Sequence, residues 1–222
     1  MTVFHGSEFK IEKPYVGGGK TTNDYGSGFY CTESEDLACE WAVTQKHDGY
    51  ANKYALDMRG LKVLDLNGDG YCVLHWLAVL LRHRVFDVRY GVATLAKPYL
   101  MENFAVDISR YDVIRGYRAD DSYFSFAQDF LSGTISYPQL TAAMRLGKLG
   151  EQIVLRSKEA FARIKFRSAK AATRETWLAA KERRDAAARK DYFDMRKTPY
   201  RLEDLSIQKI MEERIKPGDP RL

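Results

Sequence analysis

The first 32 residues constrain the fold more than any other stretch of this chain. Val3-Phe4-His5-Gly6-Ser7 is short, apolar and β-prone, and an irregular segment with the glycine run Gly17-Gly18-Gly19 comes after it. The chain then enters a second strand through Asp24-Tyr25-Gly26-Ser27-Gly28-Phe29-Tyr30-Cys31-Thr32, with two glycines at its entry. His5 followed by Gly6 puts a hydrogen-bonding ring beside backbone that a ligand can approach closely, since glycine has no Cβ. Tyr30 offers a phenol ring as a stacking platform. Together they suit a flat, polar, nucleotide-like ligand.

Beyond Cys31 the chain alternates helix and strand. Thr32-Glu33-Ser34-Glu35 reads as a capping box, with Leu37, Ala38, Trp41 and Ala42 at helical spacing behind it. Tyr54 to Asp57 and Leu61 to Leu66 are β-prone runs around Arg59-Gly60, which predicts a hairpin. Val73 to Leu81 reads as a buried helix, and Val92 to Leu100 as a helix interrupted by Pro98. Tyr111 to Tyr117 is a strand that delivers Asp120 and Asp121 to a turn. Phe124, Ala127, Phe130 and Leu131 mark the next helix, and Ser136-x-x-Gln139 with Pro138 opens another that ends at Gly147. Glu151 to Ser157 and Ala162 to Arg167 read as a final pair of strands. Ala169 to Lys197 reads as one long exposed helix, and Leu205, Ile207, Ile210, Met211 and Ile215 as a shorter amphipathic one.

At 222 residues with 45% hydrophobic content, the chain is long enough to bury a proper core. No run reaches the roughly 18 apolar residues of a membrane span, and no leader precedes the first strand, so a cytoplasmic protein with no membrane partner is expected. Cys31, Cys39 and Cys72 form no CxxC pair and read as reduced thiols. The net charge of +5 is concentrated late: residues 157–201 hold 14 Lys and Arg against 6 Asp and Glu, whereas residues 1–156 hold 17 against 19.

His5-Gly6-Ser7, Gly26-Ser27-Gly28-Phe29-Tyr30 and Gly150-Glu151-Gln152-Ile153-Val154-Leu155 resemble, in order, the three signature elements of the His-Tyr-Glu branch of the ADP-ribosyltransferase superfamily. That branch includes the diphtheria-toxin-like and poly(ADP-ribose) polymerase enzymes. The chain is more similar still to a bacterial family of unknown function assigned to that superfamily, in which an Ala-Asp-Asp segment comes next, here Ala119-Asp120-Asp121. The resemblance implies an α+β fold of split antiparallel sheets with flanking helices around an NAD cleft (residues 1–167), with a basic helical extension behind it (168–222).

It also implies mono-ADP-ribosyl transfer from NAD, used as a substrate and without a metal, to a macromolecular acceptor, in a bacterial toxin or defence effector with a neutralising antitoxin as partner. By similarity His5 bonds the adenosine ribose, Gly6 and Ser7 meet the nicotinamide carboxamide, Tyr30 stacks on the ring, and Tyr25 and Gly28 are further cofactor-binding residues. On the loop, Lys20 and Thr21 offer a point charge and a donor to the pyrophosphate, with a solvated loop lysine as the alternative reading. Glu151 binds the nicotinamide ribose and stabilises the oxocarbenium-like transition state, where charge develops. Strand neighbours face opposite ways, so either Glu151 or Gln152 lines the cleft; Asp120 and Asp121 are alternative carboxylates. NAD glycohydrolase, or a module that binds ADP-ribose or nucleic acid without turnover, are the competing functions.

Two look-alike motifs fail on spacing. In Gly17-Gly18-Gly19-Lys20-Thr21 the first glycine of a P-loop would fall at Pro14, and Asp65-Leu66-Asn67-Gly68-Asp69-Gly70 has Trp76 where a calcium loop needs its bidentate Glu. The long basic helix has two readings: a surface for nucleic acid or an acidic partner, or a helix docked on the domain or on a second subunit through Trp177, Leu178, Tyr192 and Phe193.

Overall fold

A computed structural model describes residues 1–119, 121–146 and 150–222, the side chains of 121–123 excepted. Strands β1 (Thr2–Ser7), β3 (Gly49–Leu56) and β7 (Ile164–Ala172) form an antiparallel sheet in the order β1-β3-β7. Strands β2 (Phe29–Cys31), β6 (Glu151–Leu155), β5 (Val113–Tyr117) and β4 (Val63–Asp65) form a second sheet in the order β2-β6-β5-β4, antiparallel except for the parallel β4/β5 pair. The sheets meet where Phe4 and Thr32 exchange backbone hydrogen bonds of 2.8 and 2.9 Å. The chain is thus an α+β protein with two split sheets.

Apolar side chains explain the layers. Val3, Tyr54 and Leu56 from one sheet meet Phe29, Cys31, Val113, Ile153 and Leu155 from the other, filling the space between them. Each such side chain contributes about 1.5–3 kcal/mol by leaving water. The outer face of the first sheet is covered by α1 (Glu35–Ala42), through Ala38, Cys39 and Ala42. The outer face of the second carries the largest core, built with α2 (Val73–His83), α3 (Ala93–Asn103), α4 (Asp121–Leu131) and α5 (Tyr137–Ala143). In α2, Val73 through Leu81 are all buried, as its uninterrupted apolar run requires. A short helix, α6 (Lys158–Ala162), links β6 to β7.

The C-terminal residues join these layers. Helix α7 (Arg174–Lys197) crosses from α1 to α4, and α8 (Ile207–Glu212) buries Ile207 and Ile210, with Leu205 and Ile215, in the largest core. Trp177 and Leu178 pack beside α1, and Tyr192 stacks on Phe126 at 3.7 Å, whereas Phe193 is exposed. The expected boundary at 167/168 therefore falls inside β7, whose Ala169 to Ala172 pair with Asn52 to Gly49. Alanine-rich composition favours helix locally, but an open strand edge captures these residues and the helix starts at Arg174.

Two further expectations are corrected. Tyr54–Asp57 and Leu61–Leu66 make no hairpin: β3 and β4 lie in different sheets, because Tyr54 and Leu56 fill the inter-sheet layer and the chain then crosses over. Thr32 does not cap α1, since it is still bonded to Phe4; Ser34 caps instead, accepting from the Leu37 amide at 3.2 Å. The Ser136/Gln139 capping box is present in both halves, Pro98 stands inside α3, and the helix end expected at Gly147 lies outside the described residues. Cys31, Cys39 and Cys72 are unpaired, and among the described residues no helix is long and apolar enough to cross a membrane.

Candidate functional site

A cavity of about 570 Å³ opens at the end of the inter-sheet layer. Its walls come from segments far apart in sequence: His5 and Gly6 on β1, Asp24 and Gly28 on the long loop, Phe29 and Tyr30 on β2, Trp41 on α1, Arg84 after α2, Arg118 and Ala119 after β5, and Gln152 on β6. One side is helical, with Lys181, Asp185 and Arg189 of α7.

His5 sits on the Phe29 ring, stacked at 4.3 Å, and its Nδ1 lies 2.6 Å from the Tyr30 carbonyl. A carbonyl only accepts, so Nδ1 carries the proton and Nε2 is left as an acceptor. Burial lowers the imidazole pKa, which the Tyr30 carbonyl partly opposes, so the ring is held towards its neutral form. Gly6 serves packing as well as access. A Cβ there would strike the Ala38 carbonyl and sit 2.7 Å from Trp41 Cβ, so α1 seats against β1 only because position 6 is glycine. Gly28 is similarly tight, its Cβ position lying 2.5 Å from Val154 Cγ1.

The loop between β1 and β2 is tied down. Buried Asn52 accepts from the Ile11 amide at 3.0 Å and donates to the Phe9 carbonyl at 3.0 Å, while the Tyr54 hydroxyl donates to the Ile11 carbonyl at 2.5 Å. At the other end, the Tyr30 hydroxyl donates to the Gly26 carbonyl at 2.6 Å and accepts from the Tyr25 amide at 3.0 Å. Tyr30 thus clamps its own loop, and its ring remains as a wall of the cavity. Tyr25 takes no part in the wall. It is fully buried, with its hydroxyl donating 2.6 Å to the Tyr117 carbonyl, because the loop turns it into the helical core.

The sheet register decides between Glu151 and Gln152. Tyr30 pairs with Val154 and Cys31 with Ile153 across β2 and β6. Paired residues share a face, so Gln152 and Val154 lie on the Tyr30 side and Glu151, Ile153 and Leu155 on the other. Gln152 lines the cavity and is 6% exposed. Glu151 is off the cavity wall: Arg115 Nε donates to its Oε2 and Asn67 Nδ2 to its Oε1 at 2.8 Å. Of the two neighbours, Gln152 and not Glu151 is the one in the cavity wall.

Behind Gln152 lies Asp24, a residue of the loop motif to which sequence reasoning gives no role. Its carboxylate accepts from Gln152 Nε2 (3.2 Å), the Ala119 amide (2.9 Å) and Arg84 (3.0 Å). Burial raises the Asp24 pKa; the Ala119 amide, Arg84, Arg118 and Gln152 each pull it back down. Among the described residues the charged side chains of the wall are Asp24, Asp185, Arg84, Arg118, Lys181 and Arg189, four cations against two carboxylates, a balance that favours an anionic ligand. Arg118 also lies over the Trp41 ring, 4.6 Å from its centre.

The remaining expected contacts are elsewhere. Ser7 accepts from the Phe9 amide at 3.2 Å, at the strand's end and outside the wall. Lys20 is exposed and also outside it, although Gly19 beside it is in. Asp120 and the Asp121 side chain lie outside the described residues. Among the described residues no three His, Cys, Asp or Glu side chains gather in a way that could hold a metal. Sequence reasoning missed Arg84, Arg118, Trp41, Lys181, Asp185 and Arg189; each reaches the cavity through tertiary packing, without a local motif to mark it.

In comparisons with known proteins, the family described as Protein of unknown function (DUF3990) matches residues 1–166. No curated protein and no solved structure matches.

Proposed function

We propose that this chain, which belongs to the DUF3990 family, is an NAD-dependent mono-ADP-ribosyltransferase that binds NAD in the cavity and passes ADP-ribose to a macromolecular acceptor. What carries this reading is the convergence of three short segments, at His5-Gly6, Gly28-Tyr30 and Gln152, on one wall of one cavity. A volume near 570 Å³ is in the range of nucleotide and cofactor sites. The His5 Nε2 acceptor suits a ribose hydroxyl, the Tyr30 ring suits a stacked base, and Arg84, Arg118, Lys181 and Arg189 suit a pyrophosphate. In the reaction the C1′–N bond of the nicotinamide ribose breaks and nicotinamide leaves with the bonding pair. The acceptor's nucleophile then bonds to C1′ and gives up its proton. Negative charge near the ribose stabilises the cationic transition state, and among the described residues the carboxylates on the wall are Asp24 and Asp185. In this reading the protein works in the cytoplasm, where NAD and acceptors meet, as a toxin or defence effector restrained by a neutralising partner.

A second reading, a nucleotide-binding module without turnover, is favoured by one observation: a neutral amide, Gln152, stands in the wall while Glu151 is engaged by Arg115 and Asn67. Incubation with adenylate-labelled NAD and a cell lysate separates the readings. Nicotinamide release with label on a macromolecule, lost in His5→Ala and Gln152→Ala but kept in Glu151→Gln, supports the transferase. Release without label identifies water as the acceptor and the chain as an NAD glycohydrolase. Binding of NAD or ADP-ribose with no release leaves the module, and no binding at all removes both readings.

A further inference from the structure

Gln152 and Asp24 form a buried pair whose orientation is chemically determined. An ionised carboxylate only accepts, and the Asp24 oxygens face donors: Arg84 Nη1 at one oxygen, the Ala119 amide and Gln152 Nε2 at the other. The NH2 end of the Gln152 amide must therefore face Asp24. That leaves Oε1 turned away, and it is buried without a hydrogen-bond partner although the residue lines the cavity. A buried acceptor left unsatisfied is unfavourable, so a ligand that donates to it gains correspondingly. In the same cavity wall His5 Nε2 is also an acceptor, fixed by the bond from Nδ1 to the Tyr30 carbonyl. Two acceptors fixed by their partners, in a wall whose described charged residues are mostly cations, call for a ligand that carries hydroxyl donors together with phosphate.

We propose that Asp24 is a positioning residue that locks the Gln152 amide so that Oε1 accepts a hydroxyl of the substrate's nicotinamide ribose. The inference rests on the reading of the cavity as an NAD site. Gln152 then reads the hydroxyl as a neutral acceptor, and Asp24 supplies through it the negative charge that the expected Glu151 does not bring to the cavity. Arg84, at the end of α2, holds the second oxygen of Asp24 and keeps the carboxylate from rotating.

The test is a double-mutant cycle across the ligand, by calorimetric titration of the full chain with NAD and with NAD lacking the 2′-hydroxyl of the nicotinamide ribose. The wild type is expected to bind the deoxy compound about tenfold more weakly, the scale of one good hydrogen bond. Gln152→Met, which keeps the volume and removes both polar atoms, should bind the two compounds within about twofold of each other. Asp24→Asn frees the amide to turn its NH2 into the cavity, and should lose most of the discrimination while thermal melting shows a folded chain. Asp24→Ser repeats the test if the asparagine variant does not fold. Glu151→Gln should discriminate as the wild type does. If Gln152→Met keeps the full preference, or the Asp24 variants keep it, the positioning role is overturned while the NAD site stands. If the wild type binds neither compound, the NAD reading and this inference fall together.

Discussion

The cavity has two kinds of wall. β1, β2 and β6 make a sheet wall, held by backbone ladders and by glycines that admit close neighbours, and they present His5, Tyr30 and Gln152. The helical wall, α7, is held by side chains. Arg184 donates to Glu40 at 2.8 Å in a nearly buried pair, and Tyr192 stacks on Phe126 and donates to Asp129 at 2.6 Å. Lys181, Asp185, Ala188 and Tyr192 recur at three- or four-residue spacing, with Arg184 beside Asp185, so one stripe of α7 both docks the helix and meets the cavity. The sheet wall fixes direction by register, where a slip of one residue would exchange Gln152 for Glu151. The helical wall fixes direction through a few anchors. The sheet wall should therefore fail all at once and the helical wall by degrees.

The largest effect is expected on the sheet wall. Gly6→Ala drives a methyl into the Ala38 carbonyl and the Trp41 Cβ of α1, neither of which is a flexible chain end. Urea unfolding should show a loss of about 3 kcal/mol, the upper range for overpacking, together with loss of ligand binding. A variant within about 0.5 kcal/mol of wild type would mean that α1 is not seated tightly on β1. Next comes the anchor of the helical wall. Glu40→Gln leaves the Arg184 guanidinium without its full countercharge at a site only 7% exposed, and a loss of about 2 kcal/mol is expected. If stability falls and nucleotide affinity stays at the wild-type value, α7 is a strut and not a wall.

Acid should act on the sheet wall in a defined direction. Burial lowers the pKa of His5, His75 and His83 below the ordinary 6.5, so below that value the unfolded chain binds more protons than the folded one. Their contribution is present above pH 6.5 and is lost as pH falls towards the lowered values. Asp24 has the opposite sign: its raised pKa lets the folded state take up a proton first, adding stability as pH drops through its folded value. Melting temperatures between pH 8 and pH 5 should therefore fall most steeply just below 6.5, and His5→Gln should flatten that slope. A slope unchanged by His5→Gln would place the titration on the other two histidines.

The same contrast explains what could be read from the chain alone. Strand, loop and strand around His5 and Tyr30 were legible because glycines, a β-prone run and aromatic residues punctuate them locally. The α2 core and the Ser136 cap were legible for the same reason, whereas docking was one of two readings of α7, and of its four expected anchors Trp177, Leu178 and Tyr192 pack while Phe193 is exposed. The face of β6 was not. Ile153, Val154 and Leu155 are apolar on both sides, since the strand is buried between two cores, so no alternation marks which neighbour of Gly150 points inward. Tyr25 was misplaced because nothing local distinguishes an aromatic facing the core from one facing the cavity. Asp24 went unassigned because its partners Arg84, Ala119 and Gln152 are 60, 95 and 128 residues away.

The smallest effect is the sharpest test of the helical wall. Lys181 lines the cavity and Lys190, nine positions along the same helix, is exposed and outside the wall. Replacing either by Gln removes one positive charge, so both change the long-range field of α7 equally, and neither should shift stability by more than about 0.5 kcal/mol. Of the two, only Lys181 lines the cavity in which we propose that the phosphates bind. With ADP-ribose at low salt, Lys181→Gln should therefore weaken binding about threefold to fivefold, the difference shrinking as added salt screens the contact. Lys190→Gln should stay within about 1.5-fold throughout. If both variants weaken binding alike, α7 attracts anions through its net charge alone, and the cavity belongs to the sheet wall.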